Sequence, residues 1–467
     1  MSSILWSGSE VLNAIKGHGP SKWIAYGVSI DTRTLKKGDI FFALAGPNYD
    51  GHQFISEAIK KGASVVISSA PSSDFNDKVV IVNDVLNALI ELGKFSRKRN
   101  KGKIIAITGS SGKTTVKEML ALSLRKLGNI HYSEASYNNK IGVALSLARM
   151  PADSDFSVFE LGMNRLGEIS YLSNLVQPHV ALINNVGSAH IGYFQSKKDI
   201  KKAKIEIIEG ITLNGKLIIN DDINLNTHHK KNLEKKNIEI LKFGYKKNSD
   251  LILKKYQFFP KLSKIDALIN NMNISFSLNA PGEHMAMNSI AVLGLSISLG
   301  FDINNIITPL SCFEAIKGRG MIYDLSIEGK FFQAIDESYN ANPESTKSSI
   351  SLLSEIDYLK SKRKILVLGD MMELGNFSKA MHIEMANFIN NSDVNLVFCI
   401  GYETRNLWEY LNESKKGFYS NESEMLIKSL FNKIKDNDLI LFKGSSKSRV
   451  NNILDSLKEE KLKRNIA

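Results

Sequence analysis

The sequence predicts an α/β protein of more than one domain, and three observations support this prediction. The chain has 467 residues, more than one ordinary hydrophobic core can organise, so two to four domains are expected. Near residue 110 a short apolar strand, a glycine-containing loop and a helical pattern follow one another directly. In the last third of the chain, short apolar strands alternate with helical segments, as a βαβ arrangement requires.

Composition and charge narrow the classes of function. Hydrophobic residues make up 43% and charged residues 23%, as in a soluble globular protein. The formal net charge of +12 suits an anionic partner, but the lysines are dispersed. A nucleic-acid-binding protein would need a basic stripe with stacking aromatic residues, so we expect no nucleic-acid partner. Only Cys312 and Cys399 occur, which excludes a disulfide scaffold and a thiolate zinc site and favours a cytoplasmic location.

The N-terminal residues lack the pattern of a signal peptide. The longest apolar run, near residues 290–299, is interrupted by Gly294 and by serines and is too short to span a bilayer. We therefore expect no stable insertion into a membrane.

The stretch from Ile104 to Leu127 predicts a phosphate-binding loop. Ile104 to Ile107 form an apolar strand, and the apolar spacing after Lys113 is helical and closes at Gly128. Glycines allow the backbone to approach an anion, and a helix N-terminus directs N–H groups at it. An ordinary glycine turn is the alternative, and Ile107 stands where the longer GxxxxGK[ST] pattern has its first glycine. The candidate nucleotide-binding residues are Gly109, Ser110, Ser111, Gly112, Lys113, Thr114 and Thr115, and the Thr114 hydroxyl is also a candidate ligand of Mg²⁺.

Two later strands end in residues that suit a metal ion. Phe156 to Leu161 reads as a strand carrying Glu160 at its end, and Val180 to Ile183 as a strand running towards His190. Acidic residues at the carboxyl ends of parallel strands often hold a nucleotide-bound Mg²⁺. Taken singly, Glu160 has the alternative of a solvated carboxylate at a strand end, and His190 that of a loop or core histidine.

The segment Thr108–Thr115 resembles the phosphate loop of the Mur ligase family, whose members use ATP to join amino acids to the peptidoglycan precursor. The resemblance covers nearly the whole chain, with its motifs in order. It implies that Glu160, His190 and Lys204 hold metal ions and that Lys113, His190 and Lys204 act in catalysis. Ala203-Lys204-Ile205-Glu206 matches a family segment whose lysine is commonly carbamylated. An unmodified ammonium cannot ligate Mg²⁺, so a solvated lysine is the alternative.

Further family segments imply the rest of the site. "YNNKIGVALSL" contributes Asn138 and Asn139, and which of the two matters stays open. "PGEHMAMN" places His284 and Asn288 one helical turn apart. The ATP-binding residues implied after these are Asn288, Arg319, Asp336, Tyr339 and Asn340.

The N-terminal segment "GVSIDTRTLKKGDIFFALAG" resembles the UDP-sugar-binding domain of one branch of the family. This resemblance implies that Ser29, Asp31 and Arg33, together with Asn138 and Asn139, bind the nucleotide-sugar substrate. Arg33 is a reasonable anion partner, although a plain surface arginine is the alternative.

The resemblance implies three α/β domains: residues 1–100 bind the UDP-substrate, residues 101–315 form a central phosphate-loop domain on a mostly parallel sheet, and residues 316–467 form a Rossmann-like domain. Its strands are expected near Phe332–Ile335, Ile365–Leu368, Leu396–Ile400 and Leu439–Phe442. GxGxxG is absent from that last domain, so no dinucleotide is expected there.

The wording Tyr339-Asn340-Ala341-Asn342-Pro343 is typical of family members that add D-alanyl-D-alanine, and the Asp-Asn-Pro-Arg signature of the diaminopimelate-adding members is absent. The implied substrates are UDP-N-acetylmuramoyl-tripeptide, D-alanyl-D-alanine and ATP with Mg²⁺, in a reaction through an acyl phosphate. Another Mur ligase or a folylpolyglutamate synthase-like enzyme is the alternative. We expect a monomer.

Overall fold

The computed structural model describes residues 3–46, 49–71, 77–133, 135–259, 262–355 and 363–464. Three main sheets follow one another along the chain, and each is flanked by helices. The predicted α/β fold is therefore confirmed. Among the described residues, no helix has both the length and the apolar character that crossing a bilayer requires.

The first sheet has four parallel strands in the order β3-β4-β7-β8. Because the strands are parallel, their carboxyl ends meet at one edge, where Ser29 and Ser68 end β3 and β7. The elements of this part are β1 (Trp6–Ser7), α1 (Gly8–Ile15), β2 (Ile24–Ala25), β3 (Gly27–Ser29), β4 (Asp39–Phe42), β5 (Ala45–Gly46), β6 (Tyr49–Asp50), α2 (Ile55–Lys60), β7 (Val65–Ser68), β8 (Val79–Ile81) and α3 (Val85–Arg99).

The second sheet has nine strands in the order β10-β11-β9-β12-β13-β14-β15-β16-β17, parallel except for the last two pairings. Its strands are β9 (Lys103–Thr108), β10 (Ile130–Tyr132), β11 (Phe156–Glu160), β12 (Val180–Ile183), β13 (Lys216–Asn220), β14 (Glu239–Gly244), β15 (Leu251–Phe259), β16 (Leu262–Ile269) and β17 (Met272–Leu278). Its helices are α4 (Lys113–Leu124), α5 (Lys140–Ala148), α6 (Glu168–Val176), α7 (Lys197–Ile205), α8 (Thr227–Lys235), α9 (Glu283–Ser298) and α10 (Ile303–Ser311).

Strand β9 lies at the point where the order of this sheet reverses. The chain passes from β9 outwards to β10 and β11 on one side, and then returns to β12 on the other side. Ligands of open α/β sheets bind outside the carboxyl ends of the strands at such a point. The loop after β9 therefore lies between Glu160 at the end of β11 and Asn184 after β12.

The expected end of helix α4 at Gly128 is wrong. The helix ends at Leu124, and Arg125 is its C-terminal cap. Gly128 serves close packing instead, because a Cβ there would lie 2.6 Å from Oδ2 of Asp155. That carboxylate accepts a hydrogen bond from the N–H of Asn129 at 2.7 Å.

The third sheet has six strands in the order β18-β19-β23-β20-β21-β22, parallel except for the first pairing. The four strands expected there are present, and Pro343 begins α11 as its fixed φ suits. The elements are β18 (Met321–Ile327), β19 (Lys330–Glu337), α11 (Pro343–Glu355), β20 (Lys364–Gly369), α12 (Ser378–Asn390), β21 (Leu396–Ile400), α13 (Thr404–Glu409), β22 (Lys416–Ser420), α14 (Ser423–Lys433), β23 (Leu439–Lys443) and α15 (Val450–Arg464).

The first and second parts of the chain are joined by close helix packing. Helix α3 lies against α5, and a Cβ at Gly93 would lie 3.1 Å from the carbonyl oxygen of Ala144. The buried indole of Trp6 donates to the carbonyl oxygen of Ala148 at 2.8 Å. Arg97 reaches the end of α6 and donates to the carbonyl oxygen of Val176 at 2.8 Å. The first sheet is thus fixed to the body that carries the phosphate loop.

Candidate active site

A cleft of about 840 Å³ lies between the second and third sheets. The phosphate loop, Asn138, Glu160 and His190 line it from the central part. Tyr339, Asn340 and the loop after β23 line it from the C-terminal part. Residues that are far apart in sequence therefore face one polar space.

The phosphate loop is held in shape by asparagines from the next strand. The N–H of Ser111 donates to Oδ1 of Asn185 at 2.9 Å, and Nδ2 of Asn184 donates to the carbonyl oxygen of Ser111 at 3.2 Å. Asn184 also donates to Oδ1 of Asn288 at 2.9 Å, which ties the loop to α9. These contacts leave the N-terminus of α4 open towards the cleft, as an anion site requires.

Gly112 is required where it stands. Its φ is +77°, and a Cβ would lie 2.5 Å from Nδ2 of Asn184 and 2.7 Å from Oδ1 of Asn288. An L side chain would therefore meet both backbone strain and two fixed amides. The glycine is the N-terminal cap of α4, directly before Lys113.

The side chain of Lys113 folds back over the loop. Its ammonium donates to the carbonyl oxygen of Gly109 at 2.7 Å. Burial lowers the pKa of this lysine, and the carboxylate of Glu160 opposes the decrease. Among the described residues, no carboxylate oxygen lies within 4.0 Å of this half-buried ammonium, which suits a site that receives phosphate charge.

The carboxylate of Glu160 lies beside Thr114 and a buried lysine. Oγ1 of Thr114 donates to Oε2 of Glu160 at 3.1 Å and lies 3.2 Å from Oγ of Ser136. The ammonium of Lys117 lies 3.3 Å from Oε1 of Glu160 and also donates to the carbonyl oxygen of Ser133. Oε1 has no hydrogen-bond partner of good geometry, although it is buried. Glu160 and Thr114 are predicted here from the sequence, whereas Lys117 is not.

Lys204 is almost completely buried, with 2% of its surface exposed. Within the described ranges no carboxylate oxygen lies within 4.0 Å of its ammonium. Burial lowers its pKa well below the ordinary value, and the nearby charge of Lys113 lowers it further. Its amine is therefore much easier to deprotonate than a surface lysine.

His190 faces the cleft with an unusual backbone conformation, at φ 66°. Its Nδ1 lies 2.6 Å from Oε2 of Glu373, a residue of the C-terminal part. The close imidazole of His190 lowers the pKa of Glu373. In the part of the chain that the structure describes, no three His, Cys, Asp or Glu side chains come together as a metal site.

Backbone contacts also join the segment after His190 to the segment that carries Glu373. The N–H of Gly192 donates to the carbonyl oxygen of Glu373 at 2.8 Å. A Cβ at Gly192 would lie 2.5 Å from the backbone nitrogen of Gly375. The two main chains therefore approach each other at a distance that side chains would prevent.

The opposite wall of the cleft carries Arg319 and Tyr339. The guanidinium carbon of Arg319 lies 4.0 Å from the centroid of the Tyr339 ring. The hydroxyl of Tyr339 donates to Oγ of Ser136 at 3.1 Å, so this loop touches the central part. Asn340 lines the same wall, and Asn288 lies opposite.

Four of the residues predicted for this site do not line the cleft: Gly109, Asn139, Lys204 and Asp336. Oδ1 of Asn139 caps α5 by accepting from the N–H of Gly142 at 2.8 Å. Asp336 is 1% exposed, and its carboxylate accepts from the N–H of Gly318 at 3.0 Å and from Oγ of Ser338 at 2.6 Å. Both residues fix the backbone of segments whose neighbours, Asn138 and Arg319, do reach the cleft.

The predicted N-terminal residues lie outside this cleft, at the carboxyl edge of the first sheet. Ser29 is buried, and its Oγ donates to the carbonyl oxygen of Asp31 at 3.0 Å. Arg33 pairs with Asp31 at 2.6 Å, and 86% of the arginine side chain is exposed. The hydrogen bond from Arg33 lowers the pKa of Asp31.

A buried charged group in the cleft was missed by the sequence analysis. Glu337 pairs with Lys443 at 3.2 Å and lies 3.8 Å from Nε2 of His284. Burial lowers the pKa of His284, and Glu337 opposes the decrease. A signal was available, because Lys443 ends the apolar strand β23 as Glu160 ends β11. For Lys117 there was none, since α4 is buried on most of its surface and shows no polar face.

A phosphate loop that faces a second α/β unit across a polar cleft is typical of enzymes that transfer a phosphoryl group between bound substrates. Family models match three consecutive parts of the chain. Residues 25–97 match the model described as Mur ligase family, catalytic domain; residues 107–296 match the Mur ligase middle domain; and residues 327–446 match the Mur ligase, glutamate ligase domain.

Curated relatives agree along nearly the whole chain. A protein of Rickettsia prowazekii named UDP-N-acetylmuramoyl-tripeptide--D-alanyl-D-alanine ligase is 34% identical over 435 residues, which cover 92% of this chain and 94% of the relative. The protein of the same name from Escherichia coli is 32% identical over 437 residues, covering 92% and 93%. This chain belongs to the Mur ligase family.

Solved structures of Mur ligases also resemble this chain along nearly its whole length. A crystal structure of MurF from Acinetobacter baumannii superposes with a TM-score of 0.85 at 27% identity, covering 97% of this chain and 99% of that one. MurF ligase from Thermotoga maritima in complex with ADP gives 0.79 at 27%, covering 94% and 98%. A Mycobacterium tuberculosis folylpolyglutamate synthase complexed with ADP gives 0.60 at 14%, covering 79% and 92%, which is a likeness of fold alone.

Proposed function

We propose that this protein is an ATP-dependent, ADP-forming ligase that joins D-alanyl-D-alanine to UDP-N-acetylmuramoyl-tripeptide in peptidoglycan precursor synthesis. One observation carries the proposal: the phosphate loop, the carboxylate of Glu160 and the Tyr339–Asn340 loop face one cleft. The relatives named for this reaction match this chain along more than nine-tenths of its length. They favour this acceptor over that of the other ligases of the superfamily, to which the likeness is weaker.

The triphosphate of ATP is proposed to bind at the N-terminus of α4. The loop from Gly109 to Thr115 supplies backbone N–H groups, and Lys113 supplies a positive charge. The nucleoside would lie against Asn288, Arg319, Tyr339 and Asn340, which line the same cleft. Asn139 and Asp336 are assigned a supporting role, since they position these segments.

The donor set near Thr114 suits Mg²⁺, which prefers oxygen ligands. Oε1 of Glu160 is buried without a hydrogen-bond partner of good geometry, and the Thr114 hydroxyl lies beside the same carboxylate. Thr114, Glu160, His190 and a carbamylated Lys204 would hold the metal ions. Bound there, Mg²⁺ would neutralise charge on the phosphates.

Carbamylation of Lys204 is supported by its surroundings. The amine is buried, and its pKa is lowered by burial and by Lys113. A neutral amine is the form that attacks CO₂, and the carbamate formed is an anion with oxygen ligands. The modification would convert repulsion between Lys204 and Lys113 into attraction.

The UDP end of the precursor is proposed to bind at the carboxyl edge of the first sheet. Strands β3, β4 and β7 end there, and open parallel sheets bind ligands at this edge. Ser29 shapes the loop, and the exposed guanidinium of Arg33, beside Asp31, suits an anionic group. Asn138 lines the active-site cleft and would meet the other end of the substrate.

An amine does not displace oxide from a carboxylate, because oxide is a poor leaving group. The carboxylate is therefore first activated by ATP. The tripeptide carboxylate attacks the γ-phosphorus of ATP, the bond to the β–γ bridging oxygen breaks, and ADP leaves. The amine of D-alanyl-D-alanine then attacks the acyl carbon, phosphate leaves, and the amine loses one proton. Lys113 and the loop N–H groups stabilise the charge on the phosphoryl group, and the two walls of the cleft exclude water.

We further propose domain bounds at residues 100 and 315, a monomer, and a cytoplasmic location. Each proposed domain contains one of the three main sheets, and the strands of each sheet stay within these bounds. The cytoplasmic location is supported by the substrates, which are those of precursor synthesis.

The function is tested by phosphate release from ATP with UDP-N-acetylmuramoyl-tripeptide, with and without D-alanyl-D-alanine, together with product mass. We expect release that requires both substrates and a product heavier by the dipeptide residue. Lys113→Ala should reduce this rate on the order of 10²-fold or more, whereas the exposed Lys379→Ala should not. Turnover with single amino acids only would assign a different acceptor.

A further inference from the structure

Glu344 of helix α11 connects the C-terminal part to the loop that carries His190. Its Oε2 accepts from the N–H of Ser188 at 2.9 Å, and its Oε1 accepts from Oγ of the same serine at 2.9 Å. Lys197 donates to Oε1 at 2.9 Å from the first turn of α7. One carboxylate thus takes three donors from the central part of the chain.

The same loop continues into the phosphate loop. Oγ of Ser110 accepts from the N–H of Gly187 at 2.8 Å and lies 3.2 Å from the carbonyl oxygen of Gly187. A Cβ at Gly187 would lie 2.8 Å from the carboxylate carbon of Glu344. An unbroken series of contacts therefore runs from Ser110 through Gly187 and Ser188 to Glu344.

Glu344 is well suited to remain charged. It lies in the first turn of α11, where the helix dipole favours a negative charge. Burial alone would raise its pKa, but hydrogen bonds from Lys197 and Ser188 outweigh burial and lower it. Ser188 is completely buried, so both donors of these hydrogen bonds are shielded from water, while 39% of the Glu344 side chain is exposed.

Ordinary ion pairs on a protein surface contribute little to stability. The pair between Lys347 and Glu384, on two helices of the C-terminal part, is of that kind. Glu344 differs because its partners, Ser188 and Lys197, belong to the central part of the chain. In addition, Ser188 follows Gly187, which is hydrogen-bonded to Ser110 of the phosphate loop.

We propose that Glu344 is a positioning residue that couples docking of the C-terminal domain to the conformation of the phosphate loop. The inference rests on the proposed function in one respect, since it assigns ATP to that loop. When the domain docks, Glu344 fixes Ser188 and Gly187, and these in turn fix Ser110. When nucleotide orders the loop, the Ser188 donors are held ready for Glu344, as reciprocal coupling requires.

The test compares Glu344→Ala with Glu384→Ala in the full chain, using a non-hydrolysable ATP analogue and the ligation assay. Small-angle scattering measures whether the analogue makes the molecule more compact. We expect the wild type and Glu384→Ala to contract. Glu344→Ala should contract less and should lose on the order of tenfold or more in kcat, since small misplacements cost that much.

A second pair of variants covers the case in which Glu344→Ala is unstable. Lys197→Met and Ser188→Ala each remove part of the contact, and each should give a smaller loss of contraction and of kcat in the same direction. Unchanged contraction in both would overturn the inference.

The remaining outcomes are also decisive. Loss of kcat with full contraction in Glu344→Ala would overturn the inference, because the residue would then act locally. Equal behaviour of Glu344→Ala and the wild type would overturn it as well. If the wild type contracts and Glu344→Ala does not, but no ligation product forms, the coupling stands and the proposed function fails.

Discussion

The ammonium of Lys117 lies 3.3 Å from Oε1 of Glu160, and both side chains are almost completely buried. Lys117 is also held by the carbonyl oxygen of Ser133 and lies 3.1 Å from Glu118. The lysine therefore balances the charge of the proposed metal-binding carboxylate and restricts its orientation. Removal of one partner of a buried ion pair is strongly destabilising, because it leaves the other charge buried without compensation.

We predict that Lys117→Met destabilises the protein by about 3–5 kcal/mol, because it leaves the Glu160 carboxylate buried without its cation. Denaturant unfolding of the full chain measures this change. Glu118→Gln is the matched control: its carboxylate pairs with the same ammonium but is 24% exposed, so it should cost less than about 1 kcal/mol. Equal effects of the two variants would contradict the assignment.

The conformation of Gly112 leads to a second prediction. Gly112→Ala should weaken binding of an ATP analogue on the order of tenfold or more, because the methyl group would displace Asn184 and Asn288 from the loop. Gly300→Ala is the control, since Gly300 also has a positive φ, 91°, but a Cβ there meets nothing within 4 Å. Titration calorimetry on both variants separates the effect of backbone strain from that of the contact with Asn184 and Asn288. Equal affinities of the two variants would contradict the role of this contact.

Lys204 gives a prediction about modification. If its buried amine carries a carbamate, removal of CO₂ should reduce ligation, and added bicarbonate should restore it. Lys204→Gln should be inactive and insensitive to bicarbonate. Carbon-13 NMR with labelled bicarbonate should show one carbamate signal in the wild type and none in the variant. If the wild-type protein keeps constant activity when CO₂ is removed and shows no carbamate signal, Lys204 is not carbamylated.

His179 predicts a loss of stability in acid. Burial lowers its pKa to about 4, and its Nδ1 accepts from the N–H of Ile104 at 2.9 Å. The unfolded chain takes up this proton near pH 6.5, whereas the folded protein does not until about pH 4. Stability is therefore lost as the pH falls from 6.5 towards 4.

His179→Asn removes the titrating group and keeps an acceptor for Ile104. Its unfolding free energy should fall less steeply between pH 6.5 and 4 than that of the wild type. Denaturant unfolding across this range measures the slopes. His18→Asn serves as the control, and equal slopes for the wild type and His179→Asn would contradict the prediction.

The strands and the phosphate loop could be predicted because their signals are local. Ile104 to Ile107 are apolar and are followed at once by glycines and Lys113, so the strand–loop–helix order can be read from neighbouring residues. Val180 to Ile183 was predicted with the bounds that the structure has. Family resemblance then placed Glu160 and His190 on one cleft, which both residues line.

The remaining features depend on contacts between distant segments. Nothing near Glu344 in the sequence indicates that its carboxylate meets Ser188, which lies 156 residues away. Asp336 lies one residue before the end of strand β19, yet its oxygens accept hydrogen bonds from Gly318 and Ser338. A charged residue at a strand end thus predicts a polar edge, while the tertiary fold decides whether it faces a ligand or the backbone.

The close approach of Gly192 and Gly375 has a consequence for inhibition. The two main chains meet where even one methyl group would lie 2.5 Å from a backbone nitrogen. A compound that occupied this seam would need only the thickness of an alkyl chain to hold the C-terminal part away from His190. Such a compound would leave the phosphate loop uncovered but would separate it from Tyr339 and Asn340, and it would therefore weaken binding of the nucleotide proposed for this cleft.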